Sequence, residues 1–168
     1  SKGTAELHDP LVINFEGRGC ELSGKRFAFD LDGIGGTELI PALAGGSGFL
    51  AIDRNRDGRV TDGSELFGTR SGNGFSDLAA LDKDSNGWID ESDQVFDDLR
   101  IWRHDGGGVE SLRSLREEGI GALYLGCANT EFQLTDDECH LLAQIRASGV
   151  YLKENGACGS MQQVDLAV

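Results

Sequence analysis

Two short acidic segments constrain this chain more than any other feature of its sequence. The first is D-R-N-R-D-G-R-V, from Asp53 to Val60, and the second is D-K-D-S-N-G-W-I-D-E-S-D, from Asp82 to Asp93. Both have an acidic or amide side chain at positions 1, 3 and 5, glycine at position 6 and a β-branched residue at position 8. Asp, Asn and Gly are common turn formers, so two plain turns are the simpler alternative. Because the pattern occurs twice in one chain, we favour a bound ligand over two plain turns.

The spacing of these side chains suits a calcium ion. Ca²⁺ takes about six to eight oxygen ligands, and alternate residues of a tightly curled loop can point at one ion. An EF-hand loop does this with a glycine at position 6 and a backbone carbonyl at position 7. The sequence therefore predicts about two bound Ca²⁺ ions. The predicted ligands are Asp53, Asn55, Asp57, the carbonyl of Arg59 and Glu65 for one ion, and Asp82, Asp84, Asn86, the carbonyl of Trp88 and Asp93 for the other.

The two loops differ in the residue that closes them. Asp93 is the twelfth residue of the second loop, where an EF-hand has a bidentate Glu, and the shorter Asp predicts weaker binding or a water ligand. The twelfth residue of the first loop is Ser64, and Glu65 follows it. We therefore expect a first loop that is longer by one residue, in which Glu65 reaches back from the first turn of a helix. Asp62 is a competing ligand.

The charge of the chain supports a cation site. The net charge is −14, and residues 53–98 hold 12 acidic and 5 basic side chains, a net of −7. Clustered carboxylates repel one another, and a bound dication relieves that repulsion. The acidic balance argues against nucleic-acid binding, which needs a basic face. Because no apolar run approaches the roughly 18 residues of a spanning helix, we expect no membrane span.

No catalytic motif stands out in the sequence. It has neither a metalloprotease H-E-x-x-H nor a phosphate-binding P-loop, and Ser47 lacks the second glycine of G-x-S-x-G. We therefore expect a protein that is not an enzyme. Four cysteines are compatible with disulfides or with buried free thiols, and without C-x-x-C spacing they do not predict zinc: Cys20, Cys127, Cys139 and Cys158.

The remaining sequence indicates an α+β fold in a single domain, residues 1–168. We expect strands in residues 1–52, paired calcium loops with short helices in 53–103, and a short helix and a C-terminal β-hairpin in 104–168. A central EF-hand-like pair would pack against antiparallel strands from both ends of the chain, and Val60 would meet Ile89 in a short bridge between the loops. Asp30 and Asp32 form half a calcium loop, which is either a polar hairpin end or a third site.

Several blocks of the sequence together resemble a known family. The blocks are Asp9 to Gly19, Phe29 to Gly33, Gly48 to Gly68 with its S-E-L-F-G ending, Asn73 to Asp82, and Leu99 to Trp102. In this order they resemble the EF-hand calcium-binding domains of large exported bacterial proteins, the haemolysin-type and adhesin-associated family. The resemblance implies a secreted, periplasmic or cell-surface bacterial protein and the side-chain ligands given above.

These observations predict a calcium-binding protein in which Ca²⁺ stabilises an exported structural or adhesion-type domain with an unknown protein partner. The alternative is a dockerin-like partner-binding module, because dockerins also pair two such loops and bind partners through the helices that follow. Exposed apolar residues on a helix over residues 94–103 would favour the dockerin-like alternative, and their burial would count against it.

Overall fold

The structure, a computed structural model, describes residues 9–15, 19–69, 71–135 and 141–166. Within these ranges the chain forms eleven β-strands, one short α-helix and two 3₁₀ helices, Gly63–Glu65 and Gln94–Asp98. The α-helix is α1 (Gly74–Ala79). The strands are β1 (Leu11–Asn14), β2 (Leu22–Phe29), β3 (Glu38–Leu43), β4 (Ser47–Ile52), β5 (Trp88–Asp90), β6 (Leu99–His104), β7 (Glu110–Ser114), β8 (Ile120–Tyr124), β9 (Ala128–Thr135), β10 (Leu141–Lys153) and β11 (Cys158–Leu166).

Nine of these strands form one antiparallel sheet, in the order β5-β8-β10-β11-β1-β4-β6-β7, with β9 paired to β10. The first and last strands of the chain are neighbours in the middle of this sheet, where Leu11 pairs with Gln163 and Asn14 pairs with Ser160. The long strand β10 pairs with β11 on one side and with both β9 and β8 on the other. Strands β2 and β3 form a separate hairpin.

The central strands are apolar at consecutive positions because both faces of the sheet are covered. All four residues of β1 and all six of β4 are buried, and alternate residues of each strand enter opposite cores. The helix-side core comprises Leu11, Ile13, Leu50, Ile52, Phe67, Phe75, Leu78, Ile89, Phe96, Leu99, Ile101, Leu115, Ile120, Leu123, Ala147, Tyr151 and Met161. The hairpin-side core comprises Val12, Cys20, Phe27, Phe29, Leu31, Ile40, Ala42, Leu43, Phe49, Ala51, Val60, Leu66, Trp102, Ala143, Ile145, Val164 and Leu166.

The prediction of an α+β fold with an EF-hand pair of helices is wrong, because the described chain is mostly antiparallel strand. The S-E-L-F segment, expected to start a helix, is the 3₁₀ turn Gly63–Glu65. Residues 94–103, also expected to be a helix, are the 3₁₀ helix Gln94–Asp98 followed by β6. Pairing of β6 with both β4 and β7 satisfies its backbone, and Ile101 and Trp102 enter the two opposite cores.

Two further expectations in this region fail. The short helix expected within residues 104–168, at 111–119, is instead the end of the edge strand β7 followed by a turn over residues 115–119. The two calcium loops do not meet at position 8, because Ile89 pairs with Leu123 of β8 and lies in the helix-side core. Val60 instead packs into the hairpin-side core.

Other expectations are confirmed. The predicted C-terminal hairpin is present as β10 and β11, and α1 does lead into the second loop. None of the helices in the described ranges is long and apolar enough to cross a membrane. Of the apolar residues at helical spacing in 94–103, Phe96, Leu99 and Trp102 are buried and Val95 is half-buried, which counts against the dockerin-like alternative.

The cysteines within the described residues are free thiols. Cys20 is buried, Cys127 and Cys158 are exposed, and all three are free thiols, while Cys139 lies outside the described residues. Burial raises the pKa of the Cys20 thiol to about 12, so this side chain behaves as a small core residue.

Candidate metal centres and a buried aspartate

Each predicted calcium loop gathers three carboxylates around one point. Asp53, Asp57 and Glu65 offer oxygen atoms that all lie within 4.8 Å of one another. In the second loop the same is true of three aspartates, Asp82, Asp84 and Asp93. We call these groups the first and the second cluster. In each of them the last residue is buried and the middle one is exposed.

The two loops have the same backbone shape. The residues at position 4, Arg56 and Ser85, have φ of 56° and 55°, and the glycines at position 6, Gly58 and Gly87, have φ of 75° and 83°. Left-handed conformations are unfavourable for residues with a side chain, so their occurrence at the same place in both loops indicates one shared geometry. A Cβ on either glycine would meet nothing within 4 Å, so backbone conformation rather than space requires glycine there.

Backbone N–H groups orient the carboxylate at position 1. The N–H of Gly58 donates to Asp53 Oδ2 at 3.0 Å, and the N–H of Gly87 donates to Asp82 Oδ2 at 2.9 Å. The predicted amide ligands are part of the same turns, since Asn55 Oδ1 accepts from Asp57 N at 3.2 Å and Asn86 Oδ1 from Trp88 N at 2.9 Å. For Arg59 and Trp88 the predicted ligand is the backbone carbonyl at position 7 of these loops.

Each closing carboxylate accepts hydrogen bonds from a residue three or four positions before it in the chain. Glu65 is 3% exposed, and its Oε2 accepts hydrogen bonds from Thr61 N at 2.9 Å and Thr61 Oγ1 at 3.1 Å. Asp93 Oδ2 accepts from Asp90 N at 3.0 Å. The competing residue Asp62 caps the 3₁₀ turn instead, where its Oδ1 accepts from Ser64 N at 2.8 Å. The structure therefore places Glu65 in the first cluster, in agreement with a first loop that is longer by one residue.

One carboxylate oxygen from each cluster lacks a hydrogen bond. Among the described residues, Glu65 Oε1 and Asp82 Oδ1 are buried without a hydrogen-bond partner. Burial works to raise the pKa of Asp82, but hydrogen bonds from Gly87 and its neighbours outweigh it and lower the pKa, while the pKa of Asp84 is raised chiefly by its hydrogen bond with Asp82. An unpaired buried carboxylate oxygen is costly, and a hard cation is the partner that an all-oxygen cluster fits.

Asp30 and Asp32 form a self-contained turn. Asp30 accepts hydrogen bonds from Gly33 N and Gly35 N, both at 2.9 Å, and Asp32 accepts from Ile34 N at 3.1 Å. Within the described ranges, these two residues do not belong to a group of three acidic side chains that could hold a metal.

A different buried carboxylate, which the sequence analysis did not single out, lies just before β1. Asp9 is 1% exposed, and its Oδ2 accepts from Gln163 Nε2 at 3.2 Å and lies 3.8 Å from Arg146 Nε. Its Oδ1 is buried without a hydrogen-bond partner among the described residues. Burial, reinforced by the charge of Asp165, raises the pKa of Asp9 to about 6, and Arg146 offsets this only in part.

The backbone on both sides of Asp9 is tightly packed. Asp9 N donates to the Gly68 carbonyl at 3.3 Å, and the Pro10 carbonyl accepts from Val164 N at 3.0 Å. Gly68 has φ of 87°, and a Cβ on it would lie 2.1 Å from the Asp9 carbonyl oxygen. The Asp9–Pro10 linkage is thus fixed between Gly68 and β11. In the sequence around Asp9, the feature that could have pointed to this residue is the Asp-Pro dipeptide.

Comparison with known proteins identifies the family of the chain. It is 30% identical over 181 residues to the "Iron-regulated protein FrpA" of Neisseria meningitidis serogroup C, an alignment that covers 98% of this chain. The same alignment covers 16% of that protein, so the chain spans a small part of the relative's length. Residues 11–167, which include both acidic clusters, match the model of the SPM domain, and the chain therefore belongs to the SPM domain family.

Proposed function

We propose that this domain binds Ca²⁺ at both acidic clusters and that the ions stabilise an exported domain with a structural or adhesion-type role. The observation that carries this proposal is the pair of buried carboxylate oxygens, Glu65 Oε1 and Asp82 Oδ1, which belong to residues of the two clusters and have no hydrogen-bond partner in the part of the chain that the structure describes. A cation supplies the missing partner and relieves the repulsion within each cluster.

The donor set favours calcium over other metals. Each cluster offers carboxylate oxygens, with an amide and a backbone carbonyl in the same loop, whereas zinc prefers nitrogen and sulfur ligands. Mg²⁺ retains several waters and demands a strict octahedron, while Ca²⁺ accepts many protein oxygens in an irregular shell. Outside the cell, calcium is abundant enough to fill even sites with a Kd of about 10⁻⁴–10⁻³ M.

Each loop is connected to the cores, so ordering a loop also orders apolar packing. Val60 of the first loop is buried in the hairpin-side core, and Leu66, directly after Glu65, forms a bridge with Ala51 of β4. In the second loop, Ile89 is fully buried in the helix-side core. At a calcium concentration of 100 times Kd, each ion would add about 2.7 kcal/mol to the free energy of unfolding.

A thermal melt tests this proposal. We expect the melting temperature of chelator-treated protein to rise by many degrees on titration with CaCl₂, and much less with MgCl₂. Trp88, at position 7 of the second loop, should report filling of that site by a change in fluorescence. Glu65→Gln and Asp82→Asn should each reduce the calcium-dependent rise.

Glu91→Gln is the matched control for those variants. It also removes one carboxylate from the second loop, but Glu91 is outside the cluster and its side chain is 76% exposed. This variant should keep the response of the wild-type protein to calcium. A melting temperature that is the same with chelator and with calcium would overturn the proposal.

Asp9 favours a second candidate function, which is cleavage of the protein's own Asp9–Pro10 bond. Asp9 combines burial, a raised pKa and an oxygen that has no hydrogen-bond partner within the described ranges, and perturbed carboxyls of this kind cluster at functional sites. Its own backbone carbonyl is within reach through a five-membered ring, so the reacting groups are already close together. With its pKa raised to about 6, this carboxyl stays protonated in part of the molecules near pH 6, so it can supply both the attacking oxygen and the proton that the leaving nitrogen needs.

The reaction would proceed in two balanced steps. In the first, an oxygen of the protonated Asp9 carboxyl attacks the Asp9 carbonyl carbon, the carboxyl proton passes to Pro10 nitrogen, and the bond to that nitrogen breaks so that it leaves as a secondary amine. The product on Asp9 is a cyclic anhydride. In the second step, water opens the anhydride and Asp9 becomes a C-terminal residue with two free carboxyl groups.

Mass spectrometry of the folded protein tests the cleavage. We expect incubation in calcium at pH 6–7 to release residues 1–9 and leave a chain whose N-terminal residue is Pro10. Asp9→Asn should abolish this product, and Asp9→Glu should slow it because a six-membered ring would have to form. Asp32→Asn, which removes an aspartate from a turn remote in sequence, serves as the control and should cleave normally. Failure of the wild-type protein to yield a Pro10 terminus would refute this candidate.

A further inference from the structure

A single residue fixes the closing carboxylate of the first cluster. Thr61 donates twice to Glu65 Oε2, through its backbone N–H at 2.9 Å and its hydroxyl at 3.1 Å. Each carboxylate oxygen has two lone-pair directions, so these two bonds occupy Oε2 fully. The other oxygen of Glu65, Oε1, is buried and has no hydrogen-bond partner among the described residues.

The second cluster provides an internal comparison. Asp93 Oδ2 accepts a bond from the backbone N–H of Asp90 at 3.0 Å, which corresponds to the Thr61 N–H bond. The Asp90 side chain is used differently, because its Oδ1 accepts hydrogen bonds from Ser92 N at 3.0 Å and Ser92 Oγ at 2.6 Å. The hydroxyl bond to the closing carboxylate is therefore a feature of the first cluster.

We propose that Thr61 is a positioning residue that makes Glu65 a one-oxygen ligand and so keeps one coordination position of the first site open to water. This inference rests on the proposed binding of calcium. The closing Glu of an ordinary EF-hand loop contributes both oxygens. Here the cation would gain Oε1 alone, and water can enter from the solvent side, where Asp57 is exposed.

Europium luminescence can measure this open position directly. Eu³⁺ replaces Ca²⁺ in oxygen sites, and its emission decays faster for each O–H group bound to it, so decay rates in H₂O and D₂O give the number of bound waters. Asp82→Asn with Asp84→Asn in every protein would disable the second cluster, so that the first site alone contributes. Thr61→Val keeps the shape of the side chain and removes the hydroxyl, at an exposed position where valine should not prevent folding.

We expect Thr61→Val to lose about one bound water relative to its parent, because Glu65 Oε2 then keeps only the hydrogen bond from the backbone N–H of residue 61 and has one lone pair free to join the shell. Thr61→Ser retains the hydroxyl and should keep the parent's water count. Ser64→Ala is the matched control, because it removes a hydroxyl next to Glu65 that bonds to Asp62 instead.

The outcomes separate this inference from the function on which it rests. If Eu³⁺ does not bind the parent with one ion per chain, or Ca²⁺ does not displace it, the proposed calcium site itself fails. If Eu³⁺ binds and is displaced, but Thr61→Val has the same number of bound waters as its parent, the positioning role of Thr61 is refuted even where affinity changes.

Discussion

Asp9 couples the stability of the fold to pH. Its pKa is about 6 in the folded protein, against an ordinary value of 3.8. Between pH 4 and 6 the unfolded chain has lost this proton while the folded chain retains it, so the folded state binds more protons. The free energy of unfolding should therefore fall as pH rises through this window, by at most about 3 kcal/mol, and the loss is complete above the folded pKa.

Asp9→Asn removes this titration and tests the argument. Denaturant unfolding is measured at pH 4.5 and pH 7 in saturating calcium, on samples that mass spectrometry shows to be uncleaved. The wild-type protein should lose more stability between pH 4.5 and pH 7 than the variant. The cluster carboxylates titrate in both proteins, so their contribution cancels in the difference. Parallel pH dependences would show that the Asp9 carboxyl has no raised pKa.

At the scale of single residues, the sequence predicted what local geometry determines. The carboxylates of each cluster come from one loop, so their spacing along the chain was sufficient to group Asp53 with Asp57, and Asp82 with Asp84. Asp9 could not be found in this way. Its partners Arg146 and Gln163 are more than 130 residues away in the sequence. The residues around Asp9 do not indicate that β11 lies beside β1.

At the scale of elements, the errors occurred where a local pattern fits two structures. The apolar residues Phe96, Leu99 and Trp102 have helical spacing, but β4 and β7 supply hydrogen-bonding partners on both sides of β6. Ser111 to Arg116 has leucines three residues apart, yet its first part is the edge strand β7. In both cases the neighbouring strands decide the outcome, because they satisfy the backbone and tertiary packing overrides helix propensity.

The predicted pairing of the two calcium loops also rested on a local pattern that does not determine the structure. An EF-hand pairs two calcium loops through their position-8 residues, and the sequence offered Val60 and Ile89 for this role. The sheet offers Ile89 a different partner, Leu123 of β8. The ligand pattern of an EF-hand therefore occurs here without the EF-hand architecture, since six consecutive residues can form the loop but cannot specify what the loop packs against.

At the scale of the whole molecule, the strands nearest the two ends of the chain among the described residues, β1 and β11, pair in the middle of the sheet. Strand β11 lies between β10 and β1, so the last strand of the chain joins the first strand to the long central one. It also contributes to both cores, with Met161 in the helix-side core and Val164 and Leu166 in the hairpin-side core. Contacts between such distant segments carry the entropy cost of closing a long loop and slow folding.

This topology predicts opposite results for two truncations. A chain of residues 1–157 lacks β11, so β10 and β1 lose a shared partner and both cores lose buried side chains; we expect no cooperative melt by circular dichroism, even in saturating calcium. A chain of residues 10–168 retains β1 and the hydrogen bond from Val164 N to the Pro10 carbonyl, and it should melt cooperatively. The second chain is also the product that cleavage after Asp9 would leave, so its stability decides whether the domain could remain folded once the bond is broken. A cooperative, calcium-dependent melt of residues 1–157 would show instead that the sheet can form without its last strand.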